Sequence, residues 1–366
     1  MTQSLIGVQK QELDTPILCI DLDVMESNIE KMAKFMTERG KQWRPHQKCH
    51  KTPAIALKQM QAGAIGVTCA KVSDAEVMAG AGIQDILVAN MIVGKRKVER
   101  VASLCRWSNP MICCDHYAQV EPIAAACRSA GVNCRLMIEV NIGLNRVGIN
   151  PGRDTLELAQ AIDKLDGVHL GGIMGYEGHL LHLPDLDEKR QKIDEAMGVL
   201  VDSHEKIVAS GIDCPVVSAG GTGSYQMTSD CPGITELQAG GGIFADPLYQ
   251  SGCNLKNLDY SLSVWATVVS RPAKERAILD AGRKTHFPDF HMPLVKNVEG
   301  AEVTAVSAEH CTLELTGGAQ DLQIGDRLEI IPGYADFTTV LHEAFYGFRG
   351  DRLETVWPIL GRGKLQ

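Results

Sequence analysis

The chain has 366 residues, enough for about two domains or for one barrel with an addition. Its 45 acidic and 36 basic residues leave a formal net charge of −9, which argues against a duplex-DNA or anionic-membrane binder, since both need a basic surface. With 45% hydrophobic and 22% charged residues the composition suits a soluble globular enzyme and not a disordered chain. The 12 cysteines include no CxxC pair and several sit in apolar runs (Cys69, Cys113, Cys114, Cys134), so they read as reduced core residues. No signal-peptide pattern opens the chain and no run approaches the length of a membrane span, so the cytoplasm is the expected location.

In chain order, Ile17–Asp21 reads as a strand that either joins a later sheet or leads into the first one. Glu26–Arg39 places Ile29, Met32, Ala33 and Met36 on one helical face. Short β-type runs then recur at Trp43–Lys48, Ile65–Cys69, Ile86–Asn90, Met111–Asp115, Cys134–Asn141, His169–Tyr176, Val216–Gly220 and Ile234–Ala239. Each is followed by a helical stretch, with amphipathic segments such as Asp74–Ala81, Lys95–Leu104, Ala118–Ala130, Thr155–Leu165 and Asp187–Ser210 between them. This α/β alternation predicts a (β/α)8 TIM-type barrel, with a doubly wound open sheet as the alternative. From about Asn257 the pattern turns strand-like, at Ser263–Val269, Ala277–Asp280, Glu302–Val306, Thr312–Leu315, Arg327–Ile331 and Glu354–Ile359, which predicts a smaller β domain. The expected division is a barrel over 24–256 and a β-rich domain from 1–23 plus 257–366.

In such barrels chemistry gathers at the C-terminal ends of the strands. There the sequence offers Lys48 and His50, Lys71, Asn90, Asp115, Asn141 to Arg146, Tyr176 to His182, and Gly220 to Tyr225. At the first strand end stands Arg44-Pro45-His46-Gln47-Lys48-Cys49-His50-Lys51. If the strand continues, His46, Lys48 and His50 share a face. A lysine turned into a barrel is costly to bury charged, which lowers its pKa and yields the neutral amine that a Schiff base requires. The competing reading is a basic solvated loop. After the seventh strand, Ser218-Ala219-Gly220-Gly221-Thr222-Gly223-Ser224-Tyr225 lets backbone N–H groups approach an anion. It is no Walker A motif, it lies where barrels often hold a phosphate, and Gly240-Gly241-Gly242 extends it. A reactive lysine and a phosphate turn on one rim suggest pyridoxal 5′-phosphate (PLP).

These motifs, with the opening Asp14-Thr15-Pro16, Tyr176-Glu177-Gly178-His179-Leu180-Leu181-His182 and the Glu236-Leu237-Gln238 run, resemble the fold-type III PLP enzymes of the D-threonine aldolase and D-serine dehydratase family over nearly the whole chain. The resemblance implies an alanine racemase-like PLP-binding barrel with a C-terminal β domain. It implies that Lys48 is the Schiff-base lysine and that Arg146, in Gly143-Leu144-Asn145-Arg146-Val147-Gly148, faces the pyridine nitrogen as a permanent cation. It places His46, Tyr176, Gly221, Thr222, Gly223 and Tyr225 around the cofactor and its phosphate. It gives Lys48, Tyr176 and His182 catalytic roles, and it implies a homodimer.

One departure stands near the end. Relatives carry PGHxD or PxHxC, whose His and acid or thiol bind a divalent metal, whereas this chain has Pro332-Gly333-Tyr334-Ala335-Asp336. Asp336 is kept as a metal ligand but Tyr334 replaces the His, and one carboxylate beside a neutral phenol is a weak site for Mn, Zn or Mg. Either the Tyr334 phenol serves as an acid/base group, or a His from elsewhere, such as His342, completes the site. The reaction expected is retro-aldol cleavage of a D-3-hydroxy amino acid. The alternatives are elimination by a D-serine or 3-hydroxyaspartate type dehydratase, metal-free racemisation or epimerisation, and PLP carriage without catalysis.

Overall fold

In the computed structural model residues 5–366 are described. The chain divides into two compact units, one built from residues up to Met32, Cys49–Ala54 and Gly241–Arg362, the other from Ala33–Lys48, Ile55–Gly240 and Gly363–Gln366. Strand β1 (Ile17–Asp21) leads directly into helix α1 (Leu22–Glu38), whose Met25, Ile29, Met32, Ala33 and Met36 are buried at helical spacing.

The second unit is the barrel. Its strands are β2 (Gln42–Trp43), β3 (Val67–Cys69), β4 (Asp85–Val88), β5 (Asn109–Cys114), β6 (Cys134–Glu139), β7 (Val168–Met174), β8 (Val216–Ala219) and β9 (Glu236–Leu237). They form an 8-stranded parallel sheet in the order β2-β9-β8-β7-β6-β5-β4-β3. The ends meet where Ile65 N–H donates to the Trp43 carbonyl and Thr68 N–H to that of Pro45, with a parallel bridge between His46 and Thr68. That closure makes it a barrel and removes the doubly wound alternative. Its helices are α2 (Pro53–Gln61), α3 (Val72–Gly80), α4 (Lys95–Leu104), α5 (Tyr117–Ala130), α6 (Arg153–Asp163), α7 (Leu186–Ala209) and the short α8 (Tyr225–Thr228). Two ends show how sequence sets them. The Asp185 carboxylate caps α7 by accepting from Asp187 and Glu188 N–H, and Gly131 in the left-handed region (φ +66°) stops α5.

One expectation is corrected here. The first strand stops at Trp43, and Gln47–Cys49 forms a 3-10 turn, so His46, Lys48 and His50 do not share a strand face. The cause is local. Pro45 has no N–H to continue a ladder, and His46 Nδ1 takes the Lys48 N–H at 3.2 Å. Helix α2, which follows this turn, begins at Pro53, a residue suited to the first helical position.

The other unit is the expected β domain. It joins β1 to β10 (Leu262–Ala273), β11 (Arg276–Leu279), β12 (Leu294–Val295), β13 (Ala301–Val306), β14 (Cys311–Leu315), β15 (Arg327–Ile331), β16 (Ala344–Arg349) and β17 (Arg352–Pro358). The main path of this 9-stranded sheet runs β13-β14-β11-β10-β1-β16-β17, with β15 pairing β10 and β12. The open question about Ile17–Asp21 is thereby answered, since β1 lies antiparallel to β10 and parallel to β16. Leu13, Cys19, Trp265, Phe348 and Leu353 form a buried cluster on it. The unit also holds the one-turn helix α9 (Ala335–Thr339).

Candidate active site

The barrel rim is built by pairs of motifs that lie far apart in sequence. Because β2 and β9 are neighbours, the Arg44-Pro45-His46 run lies beside Glu236-Leu237-Gln238. Arg44 is buried and bonds Glu236 at 3.0 Å and Asp85 at 2.7 Å. The backbones touch further on: His46 N–H donates to the Gln238 carbonyl at 3.0 Å, and a Cβ on Gly240 would lie 2.1 Å from the His46 carbonyl oxygen. Gln238 Nε2 donates to Ser218 Oγ at 2.9 Å, tying β9 to β8. Lys48, half-buried, follows in its 3-10 turn at the end of β2.

The ends of β7 and β8 are joined around Tyr176. A Cβ on Gly178 would lie 2.5 Å from its Cε1, and one on Gly221 would lie 2.9 Å from its Cε2, so the ring is seated between two positions that only glycine fills. Gly220 takes φ +74° and opens the glycine turn. Gly221 N–H donates to Ser224 Oγ at 3.1 Å, and the Gly221 carbonyl accepts from Ser224 and Tyr225 N–H. Thr222 and Gly223 are buried within the turn. The Tyr225 ring meets Phe35 edge-on at 4.9 Å, and burial pushes its phenol up to about 12 against the lowering effect of the Arg39 cation.

Two residues of this rim were not anticipated as such. Glu177 is fully buried; Thr228 Oγ1 donates to its Oε1 and Gly220 N–H to its Oε2 at 3.4 Å. Lys189, buried on α7, donates from Nζ to the carbonyls of Leu181 and Gly223, both at 2.9 Å, and so ties the His179–His182 segment to the glycine turn.

Arg146, in the loop after β6, is half-exposed, 3.6 Å from Glu139 and 5.7 Å from the centre of the Tyr176 ring. Burial raises the Glu139 carboxyl, opposed by Arg146. His182 is exposed, just past the 3-10 turn Gly178–Leu180. Lys48, Arg146, Tyr176 and the glycine turn thus follow the C-terminal ends of β2, β6, β7 and β8 in one closed barrel.

Tyr334 and Asp336 belong to the β-rich unit. Both are buried, and the Tyr334 hydroxyl donates to Asp336 Oδ2 at 2.9 Å. Asp246 Oδ2 accepts the Ala335 N–H at 2.8 Å, and Tyr334 packs among Tyr249, Phe290 and Phe337. His342 shares a hydrogen bond of 2.7 Å between Nε2 and the Thr285 carbonyl, and burial lowers its pKa.

Comparison with known proteins decides the family. Residues 20–246 match the alanine racemase N-terminal domain and residues 261–348 a putative serine dehydratase domain. The chain is 34% identical to a D-threonine aldolase of Arthrobacter sp over 96% of this chain and 93% of that one. It is 31% identical to a 3-hydroxy-D-aspartate aldolase of Paracoccus denitrificans (strain Pd 1222) over 99% and 95%. The crystal structure of D-threonine aldolase from Filomicrobium marinum superposes with a TM-score of 0.95 at 34% identity, covering 99% of this chain and 98% of that one. The chain belongs to the fold-type III PLP-dependent enzymes of the D-threonine aldolase and D-serine dehydratase family.

The residues of this family member fit PLP. Its glycine turn leaves no room for a Cβ at Gly220, where Leu237 Cδ2 would lie 2.7 Å away, or at Gly221, and Lys48 supplies a primary amine on the same rim. The Tyr334–Asp336 pair does not fit a divalent metal, because its donors are one carboxylate and the phenol hydrogen-bonded to it. Among the described residues the one group of three close His, Cys, Asp or Glu donors lies elsewhere, at Cys105, Cys127 and Cys134.

Proposed function

We propose that this PLP-dependent lyase cleaves D-configured 3-hydroxy amino acids, D-threonine foremost, to glycine and an aldehyde by a retro-aldol reaction. The observation that carries the reading is the primary amine of Lys48 at the end of β2, on the same barrel rim as the glycine turn at the end of β8. Bound PLP supplies an electron sink conjugated to the α-carbon of the substrate.

Lys48 would hold PLP through the cofactor's aldehyde, its primary amine being the group that such attachment requires. Its segment is fixed by His46, whose Nδ1 accepts the Lys48 N–H. The phosphate is assigned to the turn of Gly221, Thr222, Gly223 and Tyr225, where the Thr222 hydroxyl and the N–H groups of Thr222 and Gly223 are the donors. Arg146, a guanidinium cation, is assigned to the ring nitrogen. Tyr176, seated between two glycines, lines the ring. His182 is the base: it takes the proton of the β-hydroxyl, the Cα–Cβ pair passes to Cα, the aldehyde leaves, and a proton returned to Cα completes glycine. Tyr334, whose phenol is held on Asp336, is assigned the second acid/base role in place of a metal. The family resemblance supports a homodimer. The buried thiols suit a reducing compartment such as the cytoplasm, and among the described residues no helix is long and apolar enough to cross a membrane.

Purified protein loaded with PLP and incubated with D-threonine is expected to yield glycine and acetaldehyde. A keto acid with ammonia would instead assign elimination, and L-threonine or its epimer would assign racemisation. Lys48→Ala is expected to abolish turnover and the visible absorbance of the lysine-bound cofactor; an unchanged spectrum rejects Lys48.

A further inference from the structure

The barrel unit carries three thiols for which the reaction has no use. Cys105 follows the last residue of α4, Cys127 lies in the final turn of α5, and Cys134 is the first residue of β6. The chain itself brings the last two together. Gly131 turns the backbone out of α5, Val132 N–H donates to the Cys127 carbonyl at 3.0 Å, and β6 begins two residues later. These positions are at the helix C-termini and a strand N-terminus, the end of the barrel away from Lys48 and the glycine turn.

The three sulfurs all lie within 4.8 Å of one another. A sulfur-bonded ion with bonds of about 2.3 Å needs sulfurs about 4.0 Å apart in a trigonal site and about 3.8 Å apart in a tetrahedral one, so less than about 1 Å of adjustment suffices. The donors are sulfur alone, with no imidazole or carboxylate in the group, a set that selects soft ions over Mg, Ca or Mn. Cys127 and Cys134 are buried and Cys105 is half-buried, so the cluster is nearest to solvent at Cys105.

We propose that Cys105, Cys127 and Cys134 form a binding site for one soft d10 metal ion of the Zn(II), Cd(II) and Cu(I) class. Each thiol that becomes a ligand exchanges its proton for a metal–sulfur bond, so binding releases protons and involves no redox change.

The test is titration of the reduced, PLP-loaded full-length protein with Cd(II), read by the ultraviolet thiolate-to-cadmium charge-transfer band and by cadmium NMR. One equivalent per chain is expected, with a resonance of sulfur-dominated coordination and release of protons. Cys105→Ser, at the least buried of the three, is expected to weaken binding by about tenfold or more, since even partners behind the ligands cost that much. Cys214→Ser, outside the cluster, is expected to leave it unchanged. No charge-transfer band, a resonance of nitrogen and oxygen ligands, or unchanged affinity in Cys105→Ser would each overturn the proposal. Because the NMR result concerns the unmodified protein, a variant that fails to fold leaves the proposal decidable.

Discussion

Glu177 shows how a single buried carboxylate shapes the rim. It receives the Thr228 hydroxyl on one oxygen and the N–H of Gly220, which opens the glycine turn, on the other. Thr228→Val keeps the shape and removes the donor, leaving a buried carboxylate oxygen short of a partner at a cost of about 1–3 kcal/mol. The expected outcome is a lower melting temperature together with weaker PLP binding, measured by calorimetry and cofactor titration, with both restored in Thr228→Ser. A fall in melting temperature with PLP affinity intact would separate Glu177 from the turn. Glu177 stood in view inside its motif, yet nothing in the sequence pairs it with Thr228, 51 positions away. Lys189 was hidden differently. It sits in the charged run Asp187-Glu188-Lys189-Arg190, which reads as a solvated helix face, and only the loops covering the start of α7 turn its ammonium inward onto two carbonyls.

At the scale of elements, what period and turn chemistry could reveal was revealed. The eight barrel strands and most helices follow from alternating apolar runs and amphipathic stretches, since burial imposes those periods. The end of β2 was misread because the decisive contacts, a proline and an imidazole nitrogen capturing a neighbouring N–H, leave no periodic trace. The glycine turn was legible as a turn but not as the wall of a tyrosine slot. That second role makes a prediction. Gly221 has no positive φ to lose, so the cost of Gly221→Ala comes from its methyl meeting the Tyr176 ring at 2.9 Å and its hydroxyl oxygen at 3.2 Å. The ring must move, and overpacking of this kind costs about 1–3 kcal/mol. The expected result is a fall of about tenfold or more in kcat/KM with a changed circular dichroism band of the bound cofactor. Wild-type kinetics and an unaltered band would show that Tyr176 does not need its place against Gly221.

Over the whole molecule, buried charges set how stability depends on pH. In the barrel unit burial pushes Asp85 up, and Arg44 and Arg135 overcome it and hold the carboxyl below its ordinary value. In the β-rich unit burial likewise raises Glu329, and Lys10 and Lys296 overcome it. Both contributions are present above the ordinary carboxylate range and are lost as pH falls through the depressed values, so they act below about pH 4. His286 of the β-rich unit acts in a different window. Burial lowers it to about 4, His342 adds to the lowering, and the Ala281 carbonyl opposes it. The unfolded chain takes up the proton near the ordinary histidine value while the native imidazole stays neutral, so stability is full above about pH 6.5 and declines as pH falls toward 4. The loss attributable to His286 amounts to at most about 3 kcal/mol over that window. His342, also lowered by burial, adds a share of its own. Melting temperatures of the PLP-loaded protein between pH 6.5 and 4 are therefore expected to fall steadily. His286→Leu, which removes the titrating ring, should flatten most of that slope and leave the steeper loss below pH 4, where the Asp85 and Glu329 pairs break. An unchanged slope in His286→Leu would place the acid sensitivity on other groups.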